Sequence, residues 1–187
     1  MKIKSLILQI FLILAGFVWV WISRVDPDAT TPATIQAPQQ GFLAPDFELE
    51  TLSGSRVAID DLRGKAVILN FWASWCPPCR AEMPAFQQAQ EEYSDIDLAI
   101  LGVNATSQDS LRDVENFLQE YSLGFTIPLD VNGQVSRLYQ IHSLPTTFFI
   151  NEQGIIKKVI VGGPIPLSLL RVEIQQLLQE NSNVPNN

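Results

Sequence analysis

Cysteine, histidine and positive charge are all scarce in this chain of 187 residues, which has two cysteines, one histidine and 12 lysines and arginines. Two cysteines and one histidine cannot by themselves supply the four ligands of a structural zinc site. The C-x-x-C-H motif of covalent haem attachment is also missing, since Arg80 follows Cys79. These shortages exclude a Cys/His zinc domain and a c-type cytochrome.

The shortage of positive charge is greatest beyond the N-terminus. Lys2, Lys4 and Arg24 precede all 20 acidic residues, so the net charge is −8 for the chain and −11 from residue 25 onward. A domain this acidic is repelled by phosphate backbones and by anionic lipid heads. Nucleic-acid binding is therefore excluded as the leading function, while the 47% of apolar residues is typical of a folded globular protein.

The longest apolar run extends from residue 6 to residue 22 and is interrupted only by Gln9. As a helix it would be about 26 Å long, which is close to the ~30 Å hydrocarbon core of a bilayer. The run ends in Val20-Trp21-Ile22, which is too bulky for a signal-peptidase site. We therefore predict an uncleaved transmembrane anchor, with a cleaved signal peptide as the alternative.

Lys2 and Lys4 precede the apolar run and, under the positive-inside rule, place the N-terminus in the cytoplasm and the rest of the chain outside. The segment after the run is rich in proline and polar residues, as an extended linker is. The predicted organisation is a cytoplasmic segment at 1–5, an anchor at 6–22, a linker at 23–41, a folded domain at 42–180 and a disordered tail at 181–187.

The folded part shows the apolar patterns of an α/β domain. Alternating residues on both sides of Ser53-Gly54 predict a hairpin, and the continuous apolar stretches at 66–72 and 98–103 predict buried strands. The remaining predicted elements are helices at 76–93, 109–121 and 135–141, strands at 126–129, 146–150 and 155–161, and a last amphipathic helix with Leu170, Ile174, Leu177 and Leu178 facing inward.

Both cysteines lie in one motif, Cys76-Pro77-Pro78-Cys79, between a predicted buried strand and a predicted helix. As a structural disulfide this short loop would add only about 2 kcal/mol of stability. A helix N-terminus instead favours the thiolate form of cysteine. We therefore predict a redox pair, in which Cys76, exposed at the helix end, attacks a substrate disulfide and the shielded Cys79 resolves the mixed disulfide.

Two stretches of sequence resemble the thioredoxin superfamily. The residues from Asn70 to Cys79, NFWASWCPPC, resemble its active-site strand and turn, and Leu144-Pro145-Thr146-Thr147 resembles its cis-proline loop. Within this superfamily, residues 42–180 are most similar to the membrane-anchored TlpA/ResA-like thiol-disulfide oxidoreductases. Three features indicate this group: the predicted anchor, the opening Ala44-Pro45-Asp46-Phe47 and the extra strand and helix around 104–129. The resemblance implies a thioredoxin-like α/β fold. In this fold, helices flank a central mixed sheet, and an N-terminal β-hairpin and a central strand–helix insertion are added to it. One transmembrane helix is expected to precede the domain.

The resemblance also implies roles for individual residues. Asn70 stands where thioredoxins have a buried Asp and cannot take a proton from Cys79, whereas Glu82 matches the glutamate of ResA-type sites and would handle that proton. Partial burial against Phe71 or Trp75 would raise its pKa toward neutrality. The alternative is a solvated Glu82 near the helix surface, and in either case we expect little effect on the fold. Substrate contacts are implied for Trp75, Pro77, Leu144 and Pro145.

The function implied by the resemblance is that of a membrane-tethered protein disulfide reductase outside the cytoplasm of a bacterial-type cell, without metal or cofactor. Its expected substrate is the haem-site cysteine pair of apocytochrome c, and its expected electron donor is a membrane thiol transporter of the CcdA/DsbD kind. Pro77 and Pro78 leave few N–H groups for the Cys76 thiolate, which favours a reducing couple. The alternatives are an oxidant or isomerase for exported proteins and a copper-binding module. His142 is expected to be an ordinary loop residue.

Overall fold

A computed structural model describes Leu14 and residues 35–182. The chain divides after residue 32 into two units, and all the elements below belong to the second. The predicted anchor at 6–22 lies, apart from Leu14, outside the described residues, as does the tail beyond residue 182. In the described part of the chain, no helix has the length and apolar character that crossing a membrane requires.

The domain consists of a hairpin, a central sheet and four helices. The elements in chain order are β1 (Glu48–Glu50), β2 (Arg56–Ala58), β3 (Ala66–Trp72), α1 (Pro77–Glu92), β4 (Leu98–Asn104), α2 (Leu111–Tyr121), α3 (Gln134–Leu138), β5 (Thr146–Ile150), β6 (Ile156–Val161) and α4 (Leu167–Ser182), with short 3₁₀ turns at Asp60–Leu62 and Thr106–Gln108. β1 and β2 form a separate antiparallel pair, as the sequence predicts.

The central sheet has the strand order β4-β3-β5-β6 and is mixed. β3 is parallel to β4 and antiparallel to β5, and β5 is antiparallel to β6. All seven residues of β3 are buried, because this strand has a partner on both edges and is covered on both faces. A thioredoxin-like α/β fold with a mixed sheet flanked by helices, expected from the sequence, is therefore confirmed.

Side chains alternate between the two faces of β3, as in any strand. Ile68 and Trp72 belong to the apolar core formed with α1, α2 and α4. Val67, Leu69 and Phe71 belong to a second core with Tyr139 and the hairpin residues Phe47 and Ile59. Asn70 therefore lies on the same face as Ile68 and Trp72, beneath α1.

Most predicted elements appear within two residues of their expected bounds, but the strand predicted at 126–129 is wrong. Only Thr126 and Leu129 form isolated bridges with β4 there. Pro128 interrupts the segment and has no N–H to donate to a neighbouring strand. The helix predicted at 135–141 is also shorter, at Gln134–Leu138, since Gln140 adopts a left-handed conformation with φ of 52°.

Part of the predicted linker packs against the domain. The amide of Leu43 donates to the carbonyl of Ile35, and the amide of Gly41 donates to the carbonyl of Ile156 at the start of β6. The side chain of Gln36 donates to the carboxylate of Asp46 at 2.6 Å. Within the described residues, the chain is thus hydrogen-bonded to the start of the domain from residue 35 onward and to the sheet at Gly41.

Candidate active site

The cysteine motif follows β3 and opens α1. Cys76 is the N-cap residue of the helix, and Pro77 and Pro78 occupy the first two helical positions. Proline suits these positions because its φ is already helical and the N–H that it lacks would have no partner within the helix. The amide of Cys79 donates to Cys76 Sγ at 3.3 Å, which leaves one backbone donor at this sulfur where a helix without prolines could offer more.

Cys76 and Cys79 are joined in a disulfide, with their Cα atoms 5.3 Å apart. Cys79 is fully buried and Cys76 is only 3% exposed. The expectation that Cys76 is exposed is therefore wrong for this oxidised state, because its sulfur is turned over the helix end toward Cys79. That Cys76 attacks the substrate and Cys79 resolves the mixed disulfide stays a prediction.

The loop that precedes β5 lies beside this motif. The register of β5 on β3 pairs Thr146 with Phe71, so Pro145 lies next to the chain as it leaves β3. The Leu144–Pro145 bond is cis, as the resemblance implies, and the Pro145 carbonyl accepts from the amide of Gly162 at 2.8 Å. A second cis bond, Gly163–Pro164, follows β6 and is not expected from the sequence.

Two of the four predicted substrate-contacting residues line an open cleft. Trp75 is 56% exposed, and together with Leu144 it lines a cleft of about 260 Å³ that also includes His142. Pro77 is exposed at the start of α1, whereas Pro145 is buried. Exposed apolar groups next to a disulfide offer a docking surface for a polypeptide.

Glu82 lies one turn beyond Cys79, on the buried side of α1, and its side chain is completely inaccessible. Its Oε1 accepts from Asn70 Nδ2 at 2.9 Å, and its Oε2 accepts from the amide of Ile165 at 2.9 Å. Asn70 Nδ2 also donates to Thr147 Oγ1 at 2.9 Å. A carboxyl group on α1 is therefore connected to β3, β5 and the turn before α4.

Burial raises the pKa of Glu82 to about 7, although the hydrogen bonds from Ile165 and Asn70 oppose the rise. The predicted direction of the pKa change is confirmed, but a position near the helix surface is wrong. The expected small effect on the fold no longer follows, because the carboxyl group is buried and bonded to Asn70 and Ile165. Glu82 shares the buried stripe of α1 with Cys79, Met83 and Phe86, which are spaced three and four residues apart. A carboxyl group that titrates near neutral pH is suited to proton transfer.

Gly163 is a feature of the site that the sequence analysis missed. A Cβ atom at this position would lie 2.5 Å from Glu82 Oε2 and 2.7 Å from Pro145 Cγ. Only glycine lets the turn after β6 approach both groups so closely. The Gly162-Gly163-Pro164 sequence after a predicted strand signals a tight turn, but nothing in it indicates that the turn covers a carboxyl group.

Among residues 35–182, no group of three or more His, Cys, Asp or Glu side chains is arranged to hold a metal ion. His142 is an exposed residue of the loop before Pro145, as expected. The described residues therefore offer nothing that favours the copper-binding alternative.

Comparison with known proteins finds a family model, described as the AhpC/TSA family, that matches residues 41–159. The thioredoxin-like protein YneN of Bacillus subtilis is 43% identical over 141 residues, which are 75% of this chain and 79% of that protein. The thiol-disulfide oxidoreductase ResA of Oceanobacillus iheyensis is 42% identical over 137 residues, which are 71% of this chain and 69% of that protein.

Solved structures show the same likeness. The crystal structure of StoA from Bacillus subtilis superposes with a TM-score of 0.63 at 33% identity, covering 70% of this chain and 96% of that one. A putative thiol:disulfide interchange protein DsbE from Chlorobium tepidum gives a TM-score of 0.67 at 35% identity, covering 73% of this chain and 95% of that one.

Proposed function

This chain belongs to the AhpC/TSA family and is a ResA-like thiol-disulfide oxidoreductase of the thioredoxin superfamily, and on that premise we propose that it is a membrane-tethered reductase of protein disulfides outside the cytoplasm. The proposed direction, reduction of the substrate, rests on the structure of the helix end at Cys76. Two prolines leave the Cys79 amide as the backbone donor to the sulfur. A weakly stabilised thiolate makes the dithiol a better reductant, whereas strong stabilisation makes the disulfide an oxidant.

The proposed reaction begins with the reduced pair. The Cys76 thiolate attacks one sulfur of the substrate disulfide, a mixed disulfide forms, and the other substrate sulfur leaves as a thiolate. Cys79 then loses its proton and attacks Cys76 Sγ, which releases the second substrate thiolate. The substrate gains two electrons and becomes a dithiol, and the enzyme is left with the Cys76–Cys79 disulfide that the structure contains.

Glu82 is the proposed acceptor of the Cys79 proton. It follows Cys79 on the same buried stripe of α1, and its pKa of about 7 lets it exist in both protonation states near neutral pH. Asn70 cannot ionise and instead orients Glu82 through the bond to Oε1. The cis-proline loop and the exposed ring of Trp75 would hold the substrate chain beside Cys76.

The proposed substrate is the haem-site cysteine pair of apocytochrome c, and the proposed electron donor is a membrane thiol transporter of the CcdA/DsbD kind. Both rest on the ResA-like character of the chain. Residues 6–22 would serve as an uncleaved anchor with the N-terminus in the cytoplasm, since Lys2 and Lys4 precede an apolar run of nearly bilayer length.

A trapping experiment tests this function. In the full-length chain, Cys79→Ser removes the resolving thiol, so a mixed disulfide on Cys76 should persist and should contain an apocytochrome c with a C-x-x-C-H motif. The matched control Cys76→Ser should trap nothing, because the attacking thiol is gone. Mixed disulfides formed only with other exported proteins would reject the proposed substrate, and net oxidation of a reduced C-x-x-C-H peptide by the wild-type chain would reject the direction.

A further inference from the structure

The turn that precedes Cys76 is held by a segment that the exchange reaction does not use. This segment, residues 105–110, joins β4 to α2. Its Gln108 carbonyl accepts from Trp75 Nε1 at 2.8 Å, and its Ala105 amide donates to the carbonyl of Trp72 at 2.9 Å. An indole ring that is more than half exposed is thus fixed in one orientation rather than left free to rotate.

Asp109 provides the strongest connection between this segment and the turn. Its Oδ2 accepts from the Ser74 amide and its Oδ1 from the Ser74 hydroxyl, both at 2.6 Å. Two further donors complete the set, Asn104 Nδ2 at 2.9 Å and the Ser110 amide at 2.9 Å. Hydrogen bonds to an ionised carboxylate are stronger than bonds between neutral groups, and here two of them converge on the residue before Trp75.

Helix capping does not account for these contacts. The N-cap residue of α2 is Ser110, whose hydroxyl accepts from the amide of Asp113 at 3.1 Å. The carboxylate of Asp109 accepts from the backbone amide of Ser110, and its other three bonds come from Ser74 and Asn104 rather than from the amides of α2. Asn104, a fully buried neighbour, supports the carboxylate from the other side and is itself fixed by a bond from Thr106 Oγ1 at 2.8 Å.

The position of Trp75 decides the shape of the cleft beside the disulfide. Trp75 and Gln108 form one side of the 260 Å³ cleft, and Ile141 and Leu144 of the cis-proline loop contribute to its lining from another segment. A shift of the turn would move the indole relative to the loop and change the space for a polypeptide. A small disulfide needs only access to Cys76 and does not need this cleft.

We propose that Asp109 is a positioning residue that fixes Trp75 and thereby determines affinity for polypeptide disulfides. No proton or electron passes through Asp109, and the thiol chemistry remains with Cys76, Cys79 and Glu82. The inference rests on the exchange reaction proposed above but not on its direction, because a reduced and an oxidised peptide would occupy the same cleft.

The test compares two disulfides in the full-length chain. For Asp109→Ala we expect KM for an oxidised C-x-x-C-H peptide to rise about tenfold, since small misplacements in a site have large kinetic effects. The kcat should stay within about twofold, and kcat/KM for 2-hydroxyethyl disulfide should not change. Ser74→Ala removes one of the two Ser74 bonds and should give a smaller increase in the same KM.

The matched control is Asp113→Asn, which removes the same charge from a residue whose side chain hydrogen-bonds to Ser110 and not to Ser74 or Trp75. It should behave as the wild type toward both disulfides. The proposal is overturned if Asp109→Ala matches Asp113→Asn, or if both disulfides slow equally, which would indicate damage to the reaction or the fold. If the wild-type chain only oxidises the peptide, the proposed direction is rejected but the role of Asp109 is not. The same comparison of variants is then made with the reduced peptide.

Discussion

At the scale of single residues, the burial of Glu82 should make the stability of the domain depend on pH. The pKa of Glu82 is about 7 in the folded chain against an ordinary value of 4.5. The folded state therefore holds this proton more tightly than the unfolded state does, and stability falls as pH rises between these two values. The difference corresponds to about 3 kcal/mol, at about 1.4 kcal/mol for each pH unit.

Glu82→Gln tests this prediction, because glutamine keeps the shape of the side chain and does not ionise. The free energy of unfolding of the wild type, relative to that of the variant, should fall by up to about 3 kcal/mol between pH 4.5 and pH 8. Denaturant titrations with the disulfide intact measure this difference. A constant difference across the range would show that Glu82 is not buried with a raised pKa.

The same substitution should affect the exchange reaction. Without a carboxylate to accept the Cys79 proton, we expect single-turnover disulfide exchange to slow by about 10–100-fold in Glu82→Gln. The wild-type rate should show an inflection near the pKa of about 7, which the variant should lack. If the two profiles from pH 5 to pH 9 superimpose, another group takes the proton.

The sequence predicted the direction of the Glu82 pKa change better than it predicted the surroundings of this residue. Its spacing from Cys79 can be read from the motif, and the pKa direction followed from expected burial. The residues that cover the Glu82 carboxyl group could not be predicted, because Ile165 and Gly163 come from a turn about 80 residues further along the chain. The same holds for Asp109, whose bonds to Ser74 span 35 residues and depend on the pairing of β3 with β4.

At the scale of elements, we expect the first turn of α1 to set the reduction potential of the cysteine pair. Pro78 occupies the second helical position, whose amide ordinarily can donate to an N-cap side chain. Pro78→Ala should supply this N–H, stabilise the Cys76 thiolate and raise the reduction potential by about 10–30 mV, since one hydrogen bond contributes about 1 kcal/mol.

The matched control for this substitution is Pro84→Ala in the interior of the same helix. It also restores an N–H, but at an exposed position more than one turn from the cysteines. It should leave the potential unchanged. An equal potential in wild type and Pro78→Ala would show that backbone donors at this helix end do not set the redox balance.

The bounds of elements with one clear apolar pattern could be predicted closely from the sequence. Segments whose structure depends on contacts with distant parts of the chain could not be predicted. The apolar run from Ala66 to Trp72 coincides with β3 because a central strand is apolar on both faces. The segment at 126–129 has suitable residues for a strand but contains Pro128, and it forms only isolated bridges, two with β4 and one with Thr51. The packing of residues 35–41 against the sheet depends on backbone bonds to Leu43 and Ile156 and leaves no apolar pattern in the sequence.

At the scale of the whole molecule, the apolar run at 6–22 predicts where the domain operates. Fractionation of cells should find the chain in the membrane with its uncut mass, and protease added from outside should digest the acidic domain. The run is nearly long enough to cross a bilayer as a helix, which is the physical reason for this expectation. A soluble form that begins after residue 23 would contradict the anchor and would leave the thiol chemistry unaffected.

The reduction potential of the Cys76–Cys79 couple decides whether this oxidoreductase works as a reductant. The Cys76–Cys79 couple of the full-length chain is equilibrated with a series of glutathione redox buffers, and the reduced fraction is measured after rapid thiol trapping. With a single backbone donor at Cys76, the potential should lie nearer to the roughly −270 mV of thioredoxin than to the roughly −120 mV of DsbA. A potential above about −180 mV would contradict the proposed reducing direction and indicate an oxidant of exported proteins.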